Sequence, residues 1–282
     1  MFRRTFRIRS NRVDRDPPRV IDVLATPEEV ARLETDGFLV RPGIVHGEML
    51  AELRQAADEL EAETLVRQKP GEGKGFGGLF IRNIVDKHPV FLKWLLRYEP
   101  SLSVARALLG PQLQLHASVL RVAYPQLENQ DVEWHFHQRV VPDWVEDGVS
   151  RGEPPWFALP VVMDNLLYLD ELTEETGPLV VLPGTHRVNA DLPSGDFSEK
   201  PGQVLVTCPA GSIIMSHTGL WHRALAPKPS APKRRLLIFG YSPVWMKPID
   251  KPSAGAGRGL TDTLLPTDDE ETRELLGLTG YY

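Results

Sequence analysis

The chain has 282 residues, 41% apolar and 25% charged, a balance that suits a globular protein with a sizeable buried core and argues against intrinsic disorder. A formal net charge of −6 offers no basic field for nucleic acid, and no apolar run approaches the ~20 residues of a membrane span. The single cysteine, Cys208, excludes an internal disulfide and points to a reducing compartment, so a cytoplasmic location is expected. The opening stretch, MFRRTFRIRSNRVDRDPPR, is rich in arginine and lacks the apolar segment of a secretory signal. Residues 1–20 therefore read as a flexible basic tail and 21–282 as one domain.

Helical signals dominate 26–110. In TPEEVARLETDGFLV (26–40), Thr26 is placed to cap a helix, Pro27 suits its first turn, and Glu29 completes a capping box before a strand. GEMLAELRQAADELEAETLV (47–66) carries Leu50, Leu53, Ala57 and Leu60 on one stripe, as an amphipathic helix does. QKPGEGKGFGG (68–78) reads as a loop, and residues 88–110 as one or two helices broken near Pro100 and stopped by Gly110. From 112 to about 245 the texture changes to short strand-like runs punctuated by glycine and proline: QLQLHASVLRVAY, VEWHFHQ, PVVMDNLLYL, GPLVVLPG, GQVLVTCPAG, SIIMSHT and RRLLIFGYS. Residues 246–282 read as a loop and a short helix. Helices first and strands after imply an α+β fold, with the strands in a sandwich or barrel.

Chemistry concentrates in EWHFHQ (133–138). On a strand, residues i and i+2 share a face, so His135 and His137 would project together. Neutral imidazoles suit Fe(II), Zn, Cu or Ni rather than Mg or Ca. An isolated His-x-His is usually a pair of polar residues on a solvated strand, so a metal needs a further ligand. His217 and His222 lie downstream, and Arg234 and Arg235 open the next strand, where a guanidinium would be a fixed fork for a carboxylate. Two close histidines, a distant one and then an arginine form an ordered set. The run LLIF after the arginines is apolar at every position, so alternation cannot say which arginine faces inward. PGEGKGFGG lacks the spacing and the Lys-Ser/Thr pair of a phosphate loop, and no nucleophile elbow is present.

From LETDGFLV through GYSP the chain resembles the phytanoyl-CoA dioxygenase family of iron- and 2-oxoglutarate-dependent oxygenases, most specifically in LYLDELTEETGPLVVLPGTHR (167–187). The resemblance implies a double-stranded β-helix (a jelly roll, cupin-like) with flanking helices mostly from the N-terminal third. It implies Fe(II), with 2-oxoglutarate as cosubstrate and O2 as oxidant. The implied reaction hydroxylates or otherwise oxidises a small organic substrate while 2-oxoglutarate is decarboxylated to succinate. His135, His137 and His222 would hold the metal, and Arg234 would hold the far carboxylate of 2-oxoglutarate. Arg121 and Asn165 would stand near the cosubstrate, although an edge-strand arginine and an asparagine satisfying backbone groups are the plain alternatives. His217 reads as a core histidine and His186 as part of a turn. QKPGEGKGFGGLFIRN and RVVPDWVEDGVSRGEPPWF would supply the lid and substrate walls, with Phe76, Phe80, Trp144 and Trp156.

The chain departs from the family at His137, where relatives carry an aspartate. A neutral imidazole leaves the site one unit more positive, which favours an anionic cosubstrate and makes oxidation of the metal harder. Glu133, two residues before His135, could share its face, and Asp131 and Asp143 are further off. Two other readings follow: a relative that binds metal and a small acid without hydroxylating, or a three-histidine metalloenzyme that does not use 2-oxoglutarate. No oligomeric partner is legible.

Overall fold

The computed structural model describes residues 4–8, 19–67, 78–125, 127, 131–137, 161–188, 192–250 and 269–278. Strands β1 (Arg4–Ile8) and β2 (Arg19–Val23) pair antiparallel, with Phe6 opposite Ile21. RTFRI carries apolar Phe6 and Ile8 two apart, and the run beginning RVIDV gives it a partner.

Helix α1 (Pro27–Asp36) starts as anticipated. Thr26 accepts from the Glu29 N–H, and the Glu29 carboxylate accepts from the Thr26 N–H. It stops at Gly37, whose φ of 81° opens the turn into β3 (Phe38–Arg41). A side chain at Gly37 would also collide with His186 Nδ1, 2.5 Å from the position of a Cβ. Helix α2 (Gly47–Arg67) buries Leu53, Ala57 and Leu60. β4 (Leu79–Arg82) follows, a strand where the sequence suggested a lid loop. α3 (Pro89–Leu95) and α4 (Glu99–Leu109) are separate helices, with Pro100 in the first turn of α4. The proline starts the second helix rather than breaking the first, because a first-turn N–H makes no intrahelical hydrogen bond that a proline would lose.

The remaining strands are β5 (Leu113–Ala123), β6 (Val132–His135), β7 (Met163–Tyr168), β8 (Leu179–Leu182), β9 (Val204–Val206), β10 (Ser212–His217), β11 (Trp221–Ala224) and β12 (Arg234–Pro243). Helix α5 (Glu270–Leu275) ends the described chain. One sheet has six strands in the order β3-β10-β7-β12-β5-β4, and a second has four in the order β6-β11-β8-β9. Every pairing is antiparallel.

The six-stranded sheet is buried on both faces. Leu167, Ile213, Met215, Leu237 and Phe239 pack with Leu53, Leu60, Phe91, Leu95 and Leu102 from the helices. Their sequence neighbours Leu166, Tyr168, Ile214 and Leu236 pack instead with Leu179, Val181 and Val206 of the four-stranded sheet. Burial of both faces is the physical reason the LLIF pattern could not orient Arg234 and Arg235. The expected loop at 68–77, the segment carrying Trp144 and Trp156, and most of the chain after Asp250 lie outside the described residues.

Candidate metal centre

Three histidines meet at one end of the four-stranded sheet. His135 is the last residue of β6 and stands directly opposite His222 of β11, with ring centroids 4.2 Å apart. His137 does not share the strand face, because β6 ends at His135. It converges for another reason: its backbone N–H donates to the Thr218 carbonyl at 2.8 Å, in the turn between β10 and β11. Its ring lies 5.3 Å from that of His135 and 4.8 Å from that of His222. One ring nitrogen from each residue falls within 4.8 Å of the other two.

The hydrogen bonds fix which nitrogens are presented. His135 Nδ1 donates to the Glu133 carbonyl at 2.8 Å, and His222 Nδ1 to the Leu220 carbonyl at 2.9 Å. His137 Nδ1 donates to Asp164 Oδ2 at 2.8 Å. An Nδ1 bonded to an oxygen acceptor carries the proton, so each neutral ring keeps its Nε2 lone pair for a cation. Burial pushes His222 well below the ordinary histidine range, with His135 and His137 adding to the effect. Burial also lowers His135. For His137 burial acts downward too, but the bond to Asp164 and its charge outweigh it and raise the ring. Two of the three rings are therefore already neutral at neutral pH.

The larger sheet faces this cluster with cations. Arg234 is only 2% exposed. Its Nη1 donates to the Thr176 carbonyl at 3.0 Å, its guanidinium lies 5.8 Å from the Tyr168 ring centroid, and its buried Nε has no hydrogen-bond partner among the described residues. Arg235 turns the other way and is fully engaged. It holds Asp170 through Nε at 2.9 Å and Nη2 at 2.7 Å, and Asp58 through Nη1 at 2.7 Å. Arg121 lies opposite Leu236 in the β5–β12 register, so it shares the inner face with Arg234. Burial lowers it to about 10, with Arg234 contributing and Tyr168 opposing. Phe80 pairs with Arg121 across β4 and β5 and is 38% exposed.

The other sequence candidates separate cleanly. Asn165 is not brought to the cluster: it sits on the helix-facing side of β7, and its Nδ2 donates to the Phe239 carbonyl at 3.0 Å. Strand alternation sends the neighbouring Asp164 inward and Asn165 outward. The Glu133 carboxylate accepts from the Gly195 N–H and Asp131 from the Ala226 N–H, so neither joins the histidines. Asp143 lies outside the described residues. His217 accepts from the Gly219 N–H at 2.8 Å and lies 5.0 Å, ring to tilted ring, from His186, which donates to the Glu34 carbonyl, making the pair part of the packing around Gly37. Sequence reasoning missed Asp164 and Tyr168. The available signal was an aspartate inside the apolar run VVMDNLLYL, since a buried carboxylate needs a partner.

A probable alpha-ketoglutarate-dependent hypophosphite dioxygenase from Stutzerimonas stutzeri is 24% identical over 180 residues, 57% of this chain and 57% of that protein. The ectoine dioxygenase of Sphingopyxis alaskensis is 29% identical over 178 residues, 59% of this chain and 51% of its own length. The chain thus spans about half the length of the curated relatives it matches. Among solved structures, HygX from Streptomyces hygroscopicus with nickel and 2-oxoglutarate bound aligns with a TM-score of 0.62 at 20% identity, covering 80% of this chain and 90% of that one. EctD from S. alaskensis with 2-oxoglutarate and 5-hydroxyectoine aligns at 0.57 and 24% identity, covering 78% and 77%. The structural likenesses establish a shared fold. The family assignment rests on residues 33–235, which match the phytanoyl-CoA dioxygenase (PhyH) pattern, and the chain belongs to that family.

Proposed function

We propose that this protein is an Fe(II)- and 2-oxoglutarate-dependent oxygenase that oxidises a small organic substrate, built on a double-stranded β-helix within one domain over 21–282. The observation that carries the reading is the pairing of three convergent Nε2 donors with a buried arginine whose Nε has no partner among the described residues. Three neutral imidazoles fit Fe(II) by ligand type, and an inward guanidinium fits a carboxylate. His135, His137 and His222 would hold the iron. Arg234 would take the far carboxylate of 2-oxoglutarate, with Arg121 beside it as a second positive charge. When bound, iron would supply the redox chemistry by which O2 and 2-oxoglutarate become succinate and CO2, with one oxygen atom passing to the substrate.

The protein's own part is orientation. The β6–β11 pairing fixes two rings, the Thr218 carbonyl and Asp164 fix the third, and Tyr168 lies beneath the Arg234 fork. Phe80 offers an apolar surface on the same face as Arg121. The buried lone cysteine accords with a reducing, cytoplasmic setting. Among the described residues, no helix is long and apolar enough to cross a membrane.

Replacement of a carboxylate ligand by His137 favours one second reading, a relative that binds metal and 2-oxoglutarate without turnover. Anaerobic addition of Fe(II) and 2-oxoglutarate is expected to give a visible charge-transfer band, and O2 is then expected to yield succinate. A band without succinate selects the second reading. Absence of both overturns the 2-oxoglutarate assignment and leaves a three-histidine metalloprotein.

A further inference from the structure

The geometry points to Asp164 as the positioning residue of the metal centre: a carboxylate that acts through His137, orienting its ring and supplying from one residue away the negative charge that a neutral three-histidine set lacks. This rests on reading the three histidines as a metal site. The first observation is an asymmetry. His135 and His222 each place Nδ1 on a backbone carbonyl two residues earlier, a contact local to their own strands. His137 alone reaches across to the other sheet, to a side-chain carboxylate on β7.

The second observation is that Asp164 is built in. It is 7% exposed and sits on the inner face of a strand buried on both sides. Room for it comes from Gly240 on β12, where a Cβ would stand 2.9 Å from Asp164 Oδ1. The third concerns His137 itself. Its side chain is 43% exposed and it follows the end of β6, so strand geometry does not set its rotamer. The backbone bond to Thr218 places the residue, and among the described hydrogen bonds the one to Asp164 orients the ring.

A carboxylate hydrogen-bonded to the far nitrogen of a metal-ligating imidazole fixes the tautomer and makes the ring a stronger donor. A two-histidine, one-carboxylate centre carries one negative charge in direct contact with the metal. Here the histidine occupies that contact and the carboxylate stands behind it, so the total charge of the set is preserved. The substitution at His137 is thereby compensated within this chain rather than left as a defect.

The test is a double-mutant cycle read by Ni(II) titration of metal-free protein, without 2-oxoglutarate. Asp164→Asn keeps the size of the side chain and removes its charge. It is expected to weaken Ni(II) binding by about 10–100-fold in the wild-type background, the usual cost of losing an outer partner. In a His137→Asp background the same change should leave Ni(II) affinity unchanged or improve it, because there is no imidazole to support. The ligand-field band of the Co(II)-loaded protein should shift with Asp164→Asn in the first background only. Gly240→Ala, which crowds Oδ1 without removing the carboxylate, should weaken Ni(II) in the same direction. Equal loss in both backgrounds, or no loss in the wild type, overturns the proposal. Full coupling together with no Fe(II)–2-oxoglutarate band would support Asp164 while sinking the oxygenase reading, so the two failures are separable.

Discussion

His137 ties acidity to metal binding with a sign that can be worked out. Burial opposes its protonation, but the Asp164 bond and charge win and hold it above the ordinary value of 6.5, whereas His135 and His222 are pushed down. A proton on His137 must leave before its Nε2 can take a metal. Ni(II) affinity is therefore expected to fall about tenfold per pH unit once the pH drops below the His137 value, with one proton displaced. The metal-free fold has the opposite dependence. A raised folded-state value means the ion pair's stabilisation is complete below the unfolded histidine value and is lost as pH rises through the folded one. Calorimetric titrations and unfolding midpoints across that window check both limbs, and a pH-independent affinity would rule out His137 as a ligand. The same residue shows what sequence can carry. A pair of histidines one residue apart can be read directly from the sequence, and so can a His at the place where the family resemblance implies an Asp. Asp164 is invisible by spacing, because its partner lies on another strand and no local pattern joins them.

At the scale of elements, legibility followed local chemistry. α1 announced itself through Thr26 and Glu29, which make a reciprocal hydrogen-bonded cap within four residues. β11 did not, although it carries His222: WHRA is four residues long, lacks alternation, and is a strand only because β6 and β8 flank it. β4 was hidden in the same way behind a glycine-rich stretch. The α1–β3 turn offers a test of how the elements are locked. Gly37 holds φ 81° and faces His186 Nδ1, which packs on His217 at the end of β10. Gly37→Ala is expected to cost about 1–3 kcal/mol, since a left-handed conformation and a collision combine at one position. Denaturant midpoints measure it. A neutral result would mean that the turn can relax without disturbing β3 or the histidine pair.

The whole molecule divides the site between its two sheets. All three histidines come from the four-stranded sheet and the turn beyond it, while Asp164, Arg121 and Arg234 come from the six-stranded sheet that the helices support. The sequence made the helical buttress and the strand-rich half readable, because helical and alternating periodicities differ. It could not show that one sheet would be buried on both faces, and so it left Arg234 and Arg235 unresolved. A cosubstrate chelating the metal at one end and gripped by Arg234 at the other would join the sheets, and that makes a thermodynamic prediction. A ligand at about a hundred times its Kd adds roughly 2.7 kcal/mol of stability, or several degrees in a protein this size. Ni(II) alone should raise the melting temperature, and 2-oxoglutarate should add a further shift only when Ni(II) is present. Arg234→Ala should keep the Ni(II) shift and lose the 2-oxoglutarate increment, with affinity falling about 10²-fold, and lysine should not restore it because a point charge lacks the fork. Arg235→Ala should lower the starting stability, through loss of its bonds to Asp170 and Asp58, yet retain both shifts. If 2-oxoglutarate stabilises the protein equally without metal, or if Arg235→Ala rather than Arg234→Ala removes its shift, then the cosubstrate does not bridge the sheets in this way.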